Sequence, residues 1–354
     1  MNTDTLAERM FGSALGALDA LTVTIGSRLG LYRALHQAGP STAGELAART
    51  ETDVRYVREW LEQQTVAGLL DVADPALDAG DRRFSVPADH VPVLVDTDDL
   101  AYFPPFLNAI CAAGTQLPAV VDAFHTGAGV PWSSYGPEMR IGQAEGNRAL
   151  FLTVLGQHWL PSIPDVHQAL LAGGRVADIG AGEGWSSVGI ALAYPDVRVD
   201  AFDIDAESVR AANQHAAGYH LADRVRSHLL DGSRIDRPGS YDLVVAFECV
   251  HDMADPVAVL AEMRELCAPG GAVIVMDERA PETFTGAGDP VEQLLYGYSV
   301  MICLPDGRSH PDSAATGTVL RPAMLREYAS RAGFADVDIL PIEHDIFRFY
   351  RLHG

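Results

Sequence analysis

The sequence predicts an α/β protein whose C-terminal half folds as a Rossmann-like parallel sheet behind a mainly helical N-terminal domain. Three observations predict it. From about residue 173, apolar strand segments alternate with helical segments. The first of these strands runs into a glycine-rich turn and then a helix, and residues 10–72 instead show consecutive amphipathic helices. A chain of 354 residues also exceeds the usual size of one domain, so two are expected.

The C-terminal elements follow one another with short connections. The predicted strands are 175–180, 197–205, 225–230, 241–249 and 271–278, and the predicted helices are 186–194, 206–219, 256–267 and 322–334. Two further segments, 337–342 and 346–353, alternate apolar and polar residues and predict an antiparallel hairpin at one edge of the sheet. This domain is placed at residues 165–354.

The N-terminal elements have the order of a winged-helix domain, placed at residues 1–97. A helix is predicted over 26–39, ending in glycine before Pro40. The next helix, 41–50, opens with a Ser/Thr cap followed by a glutamate, and a longer one covers 53–71. A short strand at 82–87 completes the unit.

Such a scaffold either reads DNA or dimerises, and charge favours dimerisation. The helix that would enter the DNA groove carries Asp53, Glu59 and Glu62 beside Arg55 and Arg58, a mixed charge rather than a phosphate-seeking one. We therefore expect its apolar surface to meet a second subunit, with DNA reading as the alternative.

Residues 98–164 are interpreted as a helical bridge that lines a substrate site. The bridge is rich in aromatic residues and prolines, as in 102–114 and 130–136, and shows no strand pattern. Aromatic side chains there would suit a hydrophobic or aromatic small molecule, although each of them could equally belong to an ordinary core.

Bulk composition narrows the partners and the compartment. With 48 acidic and 25 basic residues the net charge is −23, which disfavours nucleic acid. No run of about eighteen apolar residues predicts a membrane span, and the first residues have no secretory pattern, so a soluble cytoplasmic protein is expected. The four cysteines lie far apart and predict neither a disulfide framework nor a metal motif.

The glycine-rich turn lies in 176-VADIGAGEGWSS-187 and offers Gly180, Gly182 and Gly184 to a ligand. A turn at a helix N-terminus admits a nucleotide against the main chain. The dinucleotide fingerprint is incomplete, because Trp185 stands at its third glycine and Glu183 would repel a pyrophosphate. The ligand that suits this turn is a cationic adenosine without phosphate, S-adenosylmethionine (SAM).

Carboxylates follow the successive strands where open α/β sheets bind their ligands. Asp203 is expected to accept hydrogen bonds from two ribose hydroxyls, with Asp205 as the less favoured neighbour. Asp231 is placed to accept from the adenine amino group, and Asp178 and Glu248 face the ammonium group or order water beside it. Two neighbours, Ile204 and Gly232, complete the predicted cofactor site.

The segments VADIGAGEG, DAFDID, LLDGS, YDLVVAFECVHDMADP and APGGAVIVMDE, in this order, resemble those of class I SAM-dependent methyltransferases over roughly residues 165–354. With its winged helix, the whole chain resembles bacterial small-molecule methyltransferases related to the plant-type O-methyltransferases. The resemblance implies SAM as cofactor, S-adenosylhomocysteine as product, and a homodimer formed through the N-terminal domain.

The same resemblance implies the catalytic residues. In the relatives a His-Asp pair follows the fourth strand, which gives His251 as general base with Asp252 beside it. An acid at the end of the fifth strand orients the imidazole, which gives Asp277, with Glu278 as the close competitor. Met253 departs from the relatives, which have tryptophan there.

Methylation of oxygen is the favoured activity, with nitrogen or carbon as alternatives. No metal is expected, but some bacterial relatives use paired histidines and iron, for which His251 and His310 are the candidates. A DNA-binding regulator that senses SAM is the alternative from another class.

Overall fold

The computed structural model describes residues 3–354, which form two compact units. The first contains the residues up to Ala112 and Ile141–Ala149, and the second contains Ala113–Arg140 and Leu150–Gly354.

The helices of the first part of the chain are α1 (Thr3–Arg28), α2 (Leu31–Ala38), α3 (Ala43–Thr50), α4 (Val54–Val66), α5 (Val91–Leu94), α6 (Pro104–Gly114), α7 (Leu117–Thr126) and α8 (Gly136–Leu150). Those that follow are α9 (Pro164–Leu171), α10 (Trp185–Ala193), α11 (Ala206–Gly218), α12 (Pro256–Leu266), α13 (Pro290–Tyr298), α14 (Leu304–Arg308) and α15 (Pro322–Arg331). Two π-helices are also present, Phe151–Trp159 and Ser299–Cys303.

The strands are β1 (Asp71–Val72), β2 (Phe84–Ser85), β3 (Arg175–Ile179), β4 (Arg198–Asp203), β5 (Val225–Leu229), β6 (Tyr241–Phe247), β7 (Cys267–Glu278), β8 (Asp336–Ile339) and β9 (Phe347–His353). The short pair β1 and β2 is antiparallel and belongs to the first unit.

Local capping sets the helices of the first unit. The Thr42 hydroxyl accepts from the backbone N–H of Glu45, whose side chain accepts from the N–H of Thr42, a capping box that begins α3 as predicted. The Asp53 side chain caps α4 by accepting from the backbone N–H groups of Arg55 and Tyr56. The predicted helix 26–39 is wrong in one respect: Gly30, at φ +66°, separates α1 from α2. Only a residue tolerant of the left-handed region continues the chain there at low cost.

Helix α1 leaves much of its apolar surface exposed. Its last turns pack on α4, where a Cβ on Gly26 would lie 2.4 Å from the Trp60 ring. Its exposed large apolar residues are Leu6, Met10, Phe11, Leu15, Leu18, Leu21 and Ile25. By length and composition alone α1 also meets the requirements of a membrane span, since an 18-residue window reaches a mean hydropathy of 1.2 with 17% of it buried.

The second unit is built on a seven-stranded sheet in the order β5-β4-β3-β6-β7-β9-β8. The first five strands are parallel, and β9 pairs antiparallel with both β7 and β8. The predicted α/β class, Rossmann-like sheet and edge hairpin are confirmed. The central strands are buried on both faces, as in Val176 and Ala177 of β3 and Val244 and Val245 of β6. Their carboxyl ends therefore form a single edge, where the predicted site residues lie.

Candidate functional site

The turn after β3 brings main chain, rather than side chains, to the edge of the sheet. Gly180, Gly182 and Gly184 have φ values of +67°, +53° and +77°. A Cβ on Gly180 would lie 2.7 Å from the Sγ of Cys249, whereas one on Gly182 would meet nothing within 4 Å. The turn is thus packed against the protein at Gly180 and open at Gly182.

Asp203, the last residue of β4, fixes this turn and keeps hydrogen-bonding capacity. Its Oδ2 accepts from the N–H of Gly182 at 2.8 Å and its Oδ1 from the N–H of Asp205 at 2.8 Å. Burial raises the pKa of Asp203, and the backbone hydrogen bonds only partly offset it. Each carboxylate oxygen has a second acceptor site for a ligand hydroxyl.

The neighbours of Asp203 divide into a structural residue and an exposed one. Asp205 caps α11 through the N–H of Ser208 at 3.0 Å, and its Oδ2 lies 2.8 Å from the Nε of Arg140. Ile204 is 66% exposed and presents an apolar surface beside the turn. Asp205 is therefore engaged within the protein.

Asp178 lies beneath the turn at the end of β3. It is 1% exposed, and its Oδ2 accepts from the hydroxyls of Ser186 and Ser187, each at 2.6 Å. Within residues 3–354 its Oδ1 has no hydrogen-bond partner. Burial raises the pKa of Asp178 to about 6. One oxygen thus braces α10 while the other is unsatisfied.

The remaining predicted cofactor residues lie at the ends of β5 and β6. Asp231 is exposed, and its Oδ1 accepts from the N–H of Ser233 at 2.9 Å. Gly232 lets this loop approach β3, because a Cβ there would lie 2.8 Å from the Cγ2 of Ile179. Glu248 adopts a φ of +54°, a costly conformation for a residue with a side chain, directly after β6.

His251 is buried among three carboxyl groups. Its Nδ1 lies 2.8 Å from the Oδ1 of Asp277 and 3.0 Å from the Oε2 of Glu278, while its Nε2 lies 3.4 Å from the Oδ2 of Asp252. Because ionised carboxylates only accept hydrogen bonds, Nδ1 carries a hydrogen toward Asp277. Both predicted orienting residues, Asp277 and its competitor Glu278, therefore contact the same ring nitrogen.

Electrostatics set the proton affinity of this cluster. Burial lowers the pKa of His251, but the charges of Asp252, Asp277 and Glu278 outweigh it and leave the pKa well above its ordinary value. Burial raises the pKa of Glu278 strongly. For Asp277 burial acts in the same direction, yet the attraction and hydrogen bond of His251 prevail and lower its pKa. The imidazole therefore holds a proton tightly, and its neutral form is the one that accepts a proton from a hydroxyl.

The sequence does not predict the site residues in the segment that includes the second π-helix. Cys303 is buried and contributes a ligand-type atom to the cluster of His251 and Asp252. Asp306 accepts from the N–H of Trp132 at 2.7 Å, and burial raises its pKa to about 6. A π-helix departs from the 3.6-residue period by which apolar patterns are read, so the pattern does not predict which side chains it presents.

The pairing of His251 with His310 is not made. His310 is exposed, and the groups of potential metal ligands around His251 in residues 3–354 contain Asp252 with Cys303, or Asp277 with Glu278. The loop after α14 leaves His310 at the surface, outside these groups.

Comparison with known proteins assigns both parts of the chain. Residues 177–273 match the methyltransferase domain family, and residues 17–95 match the Rv2258c-like winged HTH domain family. The chain is 29% identical over 178 residues to the ubiquinone biosynthesis O-methyltransferase of Psychrobacter arcticus, covering 49% of this chain and 64% of that relative. It is 29% identical over 145 residues to the 27-O-demethylrifamycin SV methyltransferase of Amycolatopsis mediterranei, covering 40% of this chain and 53% of the relative.

Similarity of fold extends over the whole chain. The structure of human N-acetylserotonin methyltransferase in complex with SAM superposes with a TM-score of 0.72 at 18% identity, covering 100% of this chain and 99% of that one. The chain spans less than two thirds of the length of the curated relatives described above. The predicted methyltransferase domain and winged-helix domain are confirmed.

Proposed function

We propose that this chain, a class I methyltransferase domain joined to a winged helix-turn-helix domain, transfers a methyl group from SAM to an oxygen atom of a small-molecule acceptor. The single observation that carries the proposal is the edge formed by the turn 180–184, Asp203 and the buried His251 in one unit. The named relatives include an O-methyltransferase, which favours oxygen over nitrogen or carbon.

The residues at this edge fit SAM. Asp203 is placed to hold the ribose hydroxyls, Ile204 offers an apolar surface, and Asp178 retains an unsatisfied buried oxygen within residues 3–354. Asp231 and Glu248 remain the proposed partners of the adenine amino group and the ammonium group. Such a set of acceptors and negative charges suits a ligand of hydroxyl, amino and cationic groups and disfavours a phosphate.

His251 would act as the general base. When bound, SAM supplies a methyl group on a cationic sulfur that a nucleophile can displace. Asp277 holds Nδ1 through a 2.8 Å contact, so Nε2 is the nitrogen available to an acceptor hydroxyl. Asp252 lies 3.4 Å from Nε2 and stabilises the imidazolium formed on proton transfer.

A hydrophobic or aromatic acceptor is supported by aromatic side chains of the second unit. Phe151 stacks on Phe247 at 5.9 Å, and the rings of Trp132 and Tyr135 lie 6.4 Å apart. Trp132 also contacts Asp306 through its backbone N–H. Phe151, Phe247 and Tyr135 are buried, whereas Trp132 is half-buried, so Trp132 is the ring that would offer apolar contact area to a flat molecule.

Calorimetry tests whether the chain binds SAM, and turnover measurements test whether His251 is the general base. Titration with SAM, S-adenosylhomocysteine and NAD should show binding of the first two only. In a screen of phenolic acceptors, His251→Ala should keep the affinity for SAM and lose at least about 100-fold in turnover, the usual contribution of a general base. Full turnover by this variant would refute the role of His251, and NAD binding without SAM binding would refute the proposal itself.

The homodimer is proposed to form through the exposed apolar surface of α1. Asp19, which accepts from the Nε2 of Gln63, lies within this helix and would be costly at the centre of a bilayer. We expect a dimer by light scattering, and Leu18→Glu with Leu21→Glu should shift it toward monomer. Flotation of the wild-type protein with phospholipid vesicles would instead indicate that α1 binds a membrane.

A further inference from the structure

The side of His251 that faces Asp252 also faces a thiol. His251 is 3% exposed and Cys303 6% exposed, and one ligand atom from each of His251, Asp252 and Cys303 lies within 4.8 Å of the others. We propose that these three side chains form a binding site for a Zn²⁺-type divalent ion, and that its occupancy inhibits methyl transfer.

The chemistry of the three ligands selects the metal. Nitrogen from imidazole, sulfur from thiolate and oxygen from carboxylate form a set that zinc accepts, whereas magnesium and calcium prefer oxygen alone. Three protein ligands leave a fourth tetrahedral position open. The ligands come from two separate elements, the loop after β6 and the end of the second π-helix, so the folded chain brings them together.

Two contacts prepare the site for a metal. Asp277 accepts from Nδ1 at 2.8 Å, which directs Nε2 toward Asp252, as the outer carboxylate does in carboxylate–histidine–zinc sites. Among residues 3–354 the Oδ1 of Asp252 is buried without a hydrogen-bond partner. An ion would satisfy this oxygen and the charge that it carries.

Binding changes the proton content of the site. The ion forms bonds to Nε2, Sγ and a carboxylate oxygen, and the thiol proton, with any proton held on Nε2, passes to solvent. Occupied Nε2 no longer accepts a proton from an acceptor hydroxyl. The inhibitory half of the proposal therefore rests on the proposed function, whereas metal binding does not.

Cobalt serves as a spectroscopic substitute for zinc. The full-length, tag-free protein, freed of metal by a chelator, is titrated with Co²⁺ and followed in the near ultraviolet and visible. We expect about one Co²⁺ per chain, a thiolate-to-cobalt charge-transfer band, tetrahedral visible bands, and displacement of all of them by Zn²⁺. Absence of the charge-transfer band would overturn the proposal.

Matched thiol variants assign the sulfur. Cys303→Ser should abolish the charge-transfer band and weaken Co²⁺ binding at least tenfold, whereas Cys267→Ser, at a half-buried thiol of β7, should leave both unchanged. A band that persists in Cys303→Ser would overturn the assignment. Should Cys303→Ser fail to fold, Asp252→Asn provides the test: it should keep the band and weaken binding, and unchanged affinity would exclude Asp252.

SAM calorimetry and turnover on the same samples separate this proposal from the proposed function. SAM binding without a cobalt band overturns the metal site alone, and a cobalt band without SAM binding overturns the proposed function alone. Turnover should fall as Zn²⁺ is added and recover with chelator in the wild type. A turnover that rises with Zn²⁺ would overturn the inhibitory role.

Discussion

Two aspartates three residues apart on β4, Asp200 and Asp203, differ in their hydrogen-bond partners and in the direction of their pKa shifts. Asp200 accepts from the side chains of Arg175, His228 and Tyr241, each at 3.0 Å. Burial raises the pKa of Asp200, but these hydrogen bonds outweigh it and lower the pKa overall. Among residues 3–354, Asp203 accepts only from backbone N–H groups, and burial raises its pKa. Asp200 is satisfied by the fold, whereas Asp203 retains capacity for an external donor.

The comparison separates carboxylates that stabilise the protein from those that await a ligand. A buried carboxylate without a cationic partner destabilises the folded protein. Such groups occur where a bound ligand supplies the missing hydrogen bonds or positive charge. In residues 3–354, Asp203 takes part in no ion pair, although Asp200 lies on the same strand beside two arginines, Arg175 and Arg237. The two positions therefore predict opposite effects of the same substitution.

Asp203→Asn should produce the largest effect, on ligand affinity. The amide keeps one acceptor oxygen but loses the charge and the second acceptor for the proposed ribose, which is expected to cost about 3 kcal/mol, or about 100-fold in the Kd for SAM. Isothermal titration measures it, with urea unfolding as the check that the variant is folded. If the Kd stayed within about twofold of the wild type, Asp203 would not be the ribose ligand and the comparison would fail.

Asp200→Asn should reverse the pattern. The amide keeps the shape but loses the charge that holds its donors, and we expect a loss of about 2 kcal/mol in the free energy of unfolding. The Kd for SAM should stay within about twofold of the wild type. A variant that lost SAM affinity at unchanged stability would place Asp200 with the ligand-binding carboxylates.

The cost of Asp200→Asn should also depend on pH with a defined sign. Because the pKa of Asp200 is lower in the folded than in the unfolded protein, its ionised form adds stability above the unfolded pKa of about 3.9. That contribution is lost as the pH falls through the folded pKa. Urea unfolding of both proteins at pH 7, 5 and 4 should show the gap narrowing only at the acidic end, and a gap independent of pH would exclude a charge effect.

The strands of the sheet and the starts of several helices can be predicted from sequence, because they depend on apolar periodicity and on local capping residues. Apolar strands such as 241–249 alternate with helices, and the Thr42 and Asp53 caps begin helices where the pattern changes. The break at Gly30 was missed because apolar residues on both sides keep a helical spacing. Periodicity records which face is buried and says little about a single residue of positive φ.

The site could be predicted only where it follows a strand. Asp203 and His251 come directly after predicted strands, so their edge of the sheet was known beforehand. Cys303 and Asp306 come from a π-helix and the short helix after it, where position in sequence does not show which side chains lie near the site. Sequence also does not distinguish Asp277 from Glu278 as the residue that orients His251. The two are adjacent at the end of β7, and a carboxylate oxygen of each contacts Nδ1.

Asp178 lies between the two cases, because within residues 3–354 its Oδ2 accepts two hydrogen bonds and its Oδ1 accepts none. The smallest expected effect therefore comes from this residue. Its folded pKa of about 6 exceeds the unfolded value, so its protonated form favours the folded state. That stability is fully present below the unfolded pKa of about 3.9 and is lost as the pH rises through the folded pKa of about 6. Asp178→Asn does not titrate, so its stability relative to the wild type should rise from pH 4 to pH 7.

A shift of about two pH units corresponds at most to about 3 kcal/mol, and we expect about 1 kcal/mol to remain after local relaxation and water entry. The unpaired amide that Asp178→Asn introduces adds a constant cost, so the slope with pH, measured by urea unfolding, is the test. Ser186→Ala removes a hydroxyl that stabilises the charged form of Asp178. The stability of Ser186→Ala should therefore fall more steeply from pH 4 to pH 7 than that of the wild type, when each is compared with Asp178→Asn. If the free energy of unfolding of Asp178→Asn relative to the wild type stayed flat or fell from pH 4 to pH 7, Asp178 would be ionised and stabilised by its partners, as Asp200 is. Asp203, and not Asp178, would then be the carboxylate that retains capacity for a ligand.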